Sequence, residues 1–185
     1  MTNALIFLID TFSKLYLLIL LLRFWLPLLR ANFHNPVSQG ILRYTSPLVT
    51  PVRRFVPSIK RLDTATVLIA IVIQYVALLI ITILGPIGIG VTGESAYMLR
   101  LLLQSLVSLA MLSVTLFIAA IIIRVVLNLL GRHMGPLTDV LVDITEPLLR
   151  PIRKVIPPIG VIDLSAYICI VLLFALNMIL ADLVV

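Results

Sequence analysis

Apolar residues gather in four long blocks, at about 5–22, 64–84, 101–123 and 164–181, with shorter polar stretches between them. At a rise of about 1.5 Å per residue, some 20 residues cross a hydrocarbon core of about 30 Å. Each block therefore predicts a transmembrane helix. The first apolar run continues to Leu29, with Arg23 closing the span. An arginine there is expected to snorkel to the head groups. Trp25 stands where an interfacial aromatic anchor is expected. Pro27 is expected to kink or end the helix. Arg124 closes the third span in the same way.

The polar stretch after span one carries a shorter period. Asn35-Pro36 has the form of a helix cap followed by proline, and Val37, Ile41 and Tyr44 then recur at i, i+4, i+7. Leu137, Leu141 and Ile144 repeat that pattern after Gly135-Pro136. A nineteen-residue segment follows each time, Thr45–Asp63 and, 100 residues later, Thr145–Asp163. Pro47, Leu48, Pro51, Arg53, Pro57, Ile59 and Asp63 are matched by Pro147, Leu148, Pro151, Arg153, Pro157, Ile159 and Asp163. Leu48, Val49, Val52, Phe55 and Val56 fall on one helical face, with Thr50, Arg53 and Arg54 on another. Copy two sets Leu149, Ile152 and Val155 against Arg150, Arg153 and Lys154. An apolar stripe backed by a basic one suits a helix lying in the interface. Proline disfavours helical angles at the residue before it, so two short turns, the second starting at Pro51 under a Thr50 cap, are expected rather than one helix. Asp63 and Asp163 are expected to cap spans two and four.

The duplication divides the chain into a first repeat (1–85), a connector (86–100) and a second repeat (101–185). The reading is an all-α membrane protein with four transmembrane helices in two parallel-orientation repeats, each with short amphipathic interfacial helices between its two spans. Two spans per repeat keep both copies in one orientation, so a pseudo-twofold axis along the membrane normal is expected.

Composition agrees with this. The chain is 62% hydrophobic and 12% charged, where soluble domains run at about 25% charged. Net charge is +6, but no nucleic-acid module accompanies it, so nucleic acid is not expected as a partner. Ten of the fourteen basic residues lie in the two repeat connectors, among them Arg43, Arg54, Arg132 and Arg150. The positive-inside rule then sets both motifs in the cytoplasm and both termini outside, in a bacterial inner membrane. No basic residue precedes the first apolar run, so no secretory signal is expected. Cys169 is a small apolar filler and forms no intrachain disulfide.

An Arg-ended span, N-P-x-x-Q at Asn35, Pro36 and Gln39, and T-x-P-L-x-x-P-[IV]-R-[RK]-x-[IV]-P with a trailing I-D resemble the YggT family of integral membrane proteins. The resemblance covers both tandem copies; copy two departs at Gly135 and Asp139. It implies a membrane organiser or assembly role, with bacterial members linked to cell-division gene neighbourhoods and plastid relatives to haem-protein assembly and nucleoid distribution. It supplies no catalytic residue.

Arg53, Arg54, Arg153 and Lys154 are candidates for binding anionic head groups or a membrane or cytoplasmic protein; the alternative is a topology signal on a solvated face. Asp63 and Asp163 can pair with Arg53 and Arg153 or simply cap. Asp10 and Lys14, at i,i+4 within span one, are a candidate ion pathway or a self-neutralising pair. Gln74, Gln104, Asn128 and Asn177 read as interhelical hydrogen-bond partners. His34 and His133 sit at near-matched positions, and surface histidines are preferred over haem ligands. No metal site, cofactor or enzymatic activity is expected, and a homo-oligomer is compatible with the sequence. The competing functional reading is a small channel or transport-related protein.

Overall fold

The computed structural model describes residues 2–56, 58, 62–85, 95–131, 135–156 and 163–183, the side chains of Ser95 and Ala96 excepted. Six helices carry the fold: α1 (Thr2–Leu28), α2 (Pro36–Arg53), α3 (Thr64–Leu84), α4 (Ser95–Leu129), α5 (Pro136–Val155) and α6 (Leu164–Asp182). Four of them, α1, α3, α4 and α6, are long and apolar enough to cross a membrane. The order span, amphipathic helix, span occurs twice.

The spans are longer than expected at one side of each repeat. α1 runs through Pro27 to Leu28, and α4 has 35 residues rather than about 23, spanning about 52 Å. Pro27 lies in the last turn, where helix ending costs little. Ala31 N–H then donates to Leu26 O at 2.9 Å, and Arg30 takes a left-handed φ of 61°. The equivalent residue after α4 is Gly131, φ 66°. Glycine reaches that region freely, whereas an arginine there is strained by about 1–2 kcal/mol.

The expected pair of short turns at Pro51 is overturned. α2 and α5 are single helices of 18 and 20 residues that pass through Pro47 and Pro51, and through Pro147 and Pro151. The reason is where the prolines point. Pro47 and Pro51 are four residues apart on one exposed face, as are Pro147 and Pro151. Each proline removes one backbone hydrogen bond, and all those losses fall on the outer side. The inner face, Ser38, Ile41, Thr45 and Val49, stays regular and buried. In α5 the same face is Leu141, Ile144, Thr145 and Leu149. Leu48, Phe55 and Val155 remain outward and exposed, on the side available to lipid. Pro57 and Pro157 lie outside the described residues.

α1 packs against α3, and α4 against α6. α1 also meets α4, and α2 meets α5, which joins the two repeats. The expected twofold relation is incomplete. α3 packs on α4, yet no described residue of α6 lies against α1. α3 turns Ala70 and Ala77 inward, and close helix approach in lipid needs small residues. α6 has the larger Ile170 and Asn177 at the corresponding positions. Trp25 is partly buried. Its ring meets Phe117 of α4 edge-on, centroids 4.9 Å apart, inside the contact between repeats.

Two apolar clusters fill the interior. One joins Leu21 and Leu26 of α1 to Phe117 and Ile121 of α4, Ile144 of α5 and Cys169 of α6. The other joins Leu17 and Leu20 to Val49, Ile69 and Leu109. Val72, Val76, Ile80, Leu172, Phe174 and Met178 stay exposed along α3 and α6. Such apolar flanks suit hydrocarbon rather than water.

A candidate anion and partner site at the repeated motif

Each span that opens a repeat carries an arginine one turn or more before its end. Neither snorkels. Arg23 is 4% exposed and Arg124 8%. A buried guanidinium must be paired and hydrogen-bonded, and the motif supplies the partners. Arg23 Nη1 donates to Thr45 Oγ1 at 2.7 Å and to Leu42 O at 3.3 Å. Arg124 Nη1 donates to Thr145 Oγ1, also at 2.7 Å. Each threonine hydroxyl in turn donates to the carbonyl four residues back, Ile41 O and Leu141 O, at 2.6 Å. The repeated threonine thus pins the amphipathic helix to the span before it.

The repeated aspartate closes the motif from the other side. Arg53 Nη2 lies 2.5 Å from Asp63 Oδ2, and Arg23 Nε 3.5 Å from the same oxygen. In copy two Arg153 grips Asp163 through both Nε (3.1 Å) and Nη2 (2.5 Å). Burial by itself raises the Asp63 carboxyl. The Thr66 hydroxyl and the two arginines pull harder, and it ends below the usual carboxylate range. Asp163 behaves likewise, with Ser165 and Arg153 outweighing burial. Capping, the role expected of both, holds only for Asp163, which accepts from Ser165 N–H at 3.1 Å. Asp63 makes no side-chain cap to α3. Its buried side chain instead gives Oδ2 to the two arginines.

The two copies differ at one neighbour. Glu146 follows Thr145, and its carboxylate accepts from Arg124 Nη2 at 3.0 Å and Arg153 Nη1 at 3.1 Å. Ser46 is the counterpart in copy one. It receives only a 3.4 Å contact from Arg23 Nη1. A cavity of about 620 Å³ in the first repeat is bordered by Arg23, Arg30, Arg53 and Asp63.

The four basic candidates therefore separate. Arg53 and Arg153 hold the internal aspartates, whereas Arg54 and Lys154 are exposed and make no ion pair among the described residues. Asp10 and Lys14 pair at 2.7 Å and border a second cavity, about 380 Å³, with Gln74, Ser108, Thr115 and Asn177. Asn177 Nδ2 donates to Thr115 Oγ1 at 3.3 Å, while its Oδ1 is buried without a partner. His34 is exposed, and His133 lies outside the described residues. Sequence reasoning missed the Arg23–Thr45 and Arg124–Thr145 clasps. The available signal was an arginine at like positions in both repeats, 21 or 22 residues before a repeated threonine.

Two further contacts bind the repeats. Asn35 Nδ2 donates to Pro136 O at 2.6 Å, and Asn32 N–H to Asp143 Oδ2 at 2.9 Å. The model of the CCB3/YggT family matches residues 2–84 and again 103–184. The chain belongs to the CCB3/YggT family. An uncharacterised protein of Pseudomonas aeruginosa is 38% identical over 183 residues, covering 98% of this chain and 90% of that one. An uncharacterised protein of Vibrio alginolyticus, encoded beside proC, is 34% identical over 182 residues, covering 98% and 96%. The uncharacterised protein YggT of Escherichia coli strain K12 is 32% identical over 184 residues, covering 97% and 90%. No solved structure matches the chain. The family's doubled model falls on the two halves that carry the arginine clasps.

Proposed function

We propose that this YggT-family protein is a non-enzymatic organiser or assembly factor of the bacterial cytoplasmic membrane. Its two proline-rich helices, α2 and α5, face the cytoplasm and present matched cations to anionic lipid or to a protein partner. One observation carries the reading. Within each Arg-Arg or Arg-Lys pair, the first residue is consumed by an internal aspartate and the second, Arg54 or Lys154, is left exposed. A topology signal needs positive charge but no division of labour within each pair, repeated at the same register. Juxtamembrane cations add about 1 kcal/mol each toward an anionic surface. Replacing Arg54 and Lys154 together by alanine is expected to weaken association about tenfold or more and leave the fold and ion flux intact. Crosslinking from neighbouring positions in native membranes, compared between wild type and the double variant, checks this. An unchanged crosslink pattern contradicts it.

A transport role is the second reading, favoured by the polar cavity that Asp10, Lys14, Gln74, Thr115 and Asn177 form among four apolar spans. Ionisable side chains within a span are rare and costly, which makes them candidate functional groups. This reading requires ion flux in reconstituted vesicles that Lys14→Met alters; vesicles without flux at any voltage or osmotic gradient end it.

A further inference from the structure

The geometry points to a phosphate-binding site in the first repeat, in the cavity of about 620 Å³ between α1, α2 and the start of α3. The charge count differs between the copies. In repeat two, Arg124 and Arg153 face Glu146 and Asp163, two cations against two carboxylates. In repeat one, Arg23, Arg30 and Arg53 border the cavity with Asp63 as the only carboxylate among its described lining. The two donors that reach Glu146 in repeat two are one nitrogen from each arginine, Arg124 Nη2 and Arg153 Nη1. Their counterparts, Arg23 Nη2 and Arg53 Nη1, have no hydrogen-bond partner among the described residues. No described carboxylate takes the place of Glu146 at these two donors, which leaves them available to an anion.

A second, independent observation lies at Arg30. It holds a left-handed backbone angle, φ 61°, where the second repeat uses Gly131. An arginine kept in a strained conformation that glycine fills freely calls for a reason other than folding. Arg30 makes no ion pair with a described carboxylate, although Asp143 and Glu146 line the adjoining cavity of about 430 Å³. Arg30 borders both cavities and so adds a cation to the lining of the first.

Guanidinium groups suit phosphate because paired N–H donors match paired oxygens. The volume falls within the roughly 300–1,000 Å³ typical of ligand sites. The site sits at the end of span α1, at head-group depth, so the phosphate can belong to an anionic lipid or be free. The inference does not depend on the organiser reading. It needs only the surplus of cations in repeat one.

The test uses the full chain in nanodiscs. Wild type in phosphatidylcholine is compared with phosphatidylcholine containing phosphatidylglycerol, and inorganic phosphate is titrated into the former. Melting temperature and lipid retained in native mass spectra are read. Two variants are used, Ser46→Glu and Arg30→Gly. Ser46→Glu installs the carboxylate that repeat two already accommodates at the same place. Each is expected to weaken anion binding about fivefold or more, the effect of one charge at a membrane surface. Arg30→Gly is expected to do so while the ligand-free melting temperature stays the same or rises. Stabilisation by inorganic phosphate identifies a free ligand; stabilisation by phosphatidylglycerol alone identifies a head group. Stabilisation by neither, or by either one equally in wild type and both variants, overturns the inference.

Discussion

At the scale of single residues, the decisive feature is an arginine buried at the end of a membrane span. Removing one partner of a buried ion pair costs about 3–5 kcal/mol, because the other charge is left without compensation. Asp63→Asn leaves both Arg23 and Arg53 in that position. Arg53 is half exposed and keeps water, so that range is an upper bound. The expected outcome is a clearly lowered thermal unfolding temperature for Asp63→Asn, beside an unchanged one for the exposed Arg54→Ala. Asp63 and Asp163 also set a pH dependence. Both carboxyls titrate below their ordinary value in the folded protein. Such groups stabilise fully above the unfolded pKa of about 3.9, and their contribution is lost as pH falls through the folded value. Thermal unfolding followed from pH 7 downward is therefore expected to hold until about pH 4 and to fall below it. Asp63→Asn with Asp163→Asn is expected to flatten that fall.

At the scale of elements, α2 and α5 correct a rule applied too locally. Pro47 and Pro51 each disfavour helix at the preceding residue, and that steric preference argued for a broken segment. The packed face outweighed it. Thr45 and Val49 are fully buried, and both are held by neighbours on the side away from the prolines. Replacing Pro47 or Pro51 by alanine restores an N–H without disturbing a contact, so helix content by circular dichroism is expected to stay the same and stability to hold or rise. A fall in helix content is the contrary result. The spans themselves were legible, since about twenty apolar residues in a row admit little else. The clasps were not, because hydropathy treats Arg23 as a boundary marker. Only its contact with Thr45, 22 residues away, reveals a structural role. Asp63 was read as a cap for a similar reason. Its position before α3 is cap-like, but both arginines hold its Oδ2 and no side-chain cap forms.

At the scale of the whole molecule, the two repeats share a motif and differ in use. Repeat two is internally neutral around Glu146, while repeat one keeps spare donors and a cavity. The repeats are tied on the motif side by Asn35 and Asn32. Farther along the spans they are tied by α3 against α4. Asn35→Ala removes both the α2 cap and the bridge to Pro136, and is expected to cost about 1–2 kcal/mol, read as a lower unfolding temperature.

The central claim is that α2 and α5 are clasped to the spans by Thr45 and Thr145 and leave Arg54 and Lys154 exposed, on the face proposed to be cytoplasmic. Membrane-impermeant thiol labelling tests it directly, in a Cys169→Ser background with single substitutions Thr45→Cys, Arg54→Cys, Thr145→Cys and Lys154→Cys. The account predicts that residues 54 and 154 label in inside-out vesicles only and that 45 and 145 resist labelling in both orientations. Labelling of 54 and 154 from the outer side, or of 45 and 145 as readily as of 54 and 154, contradicts it.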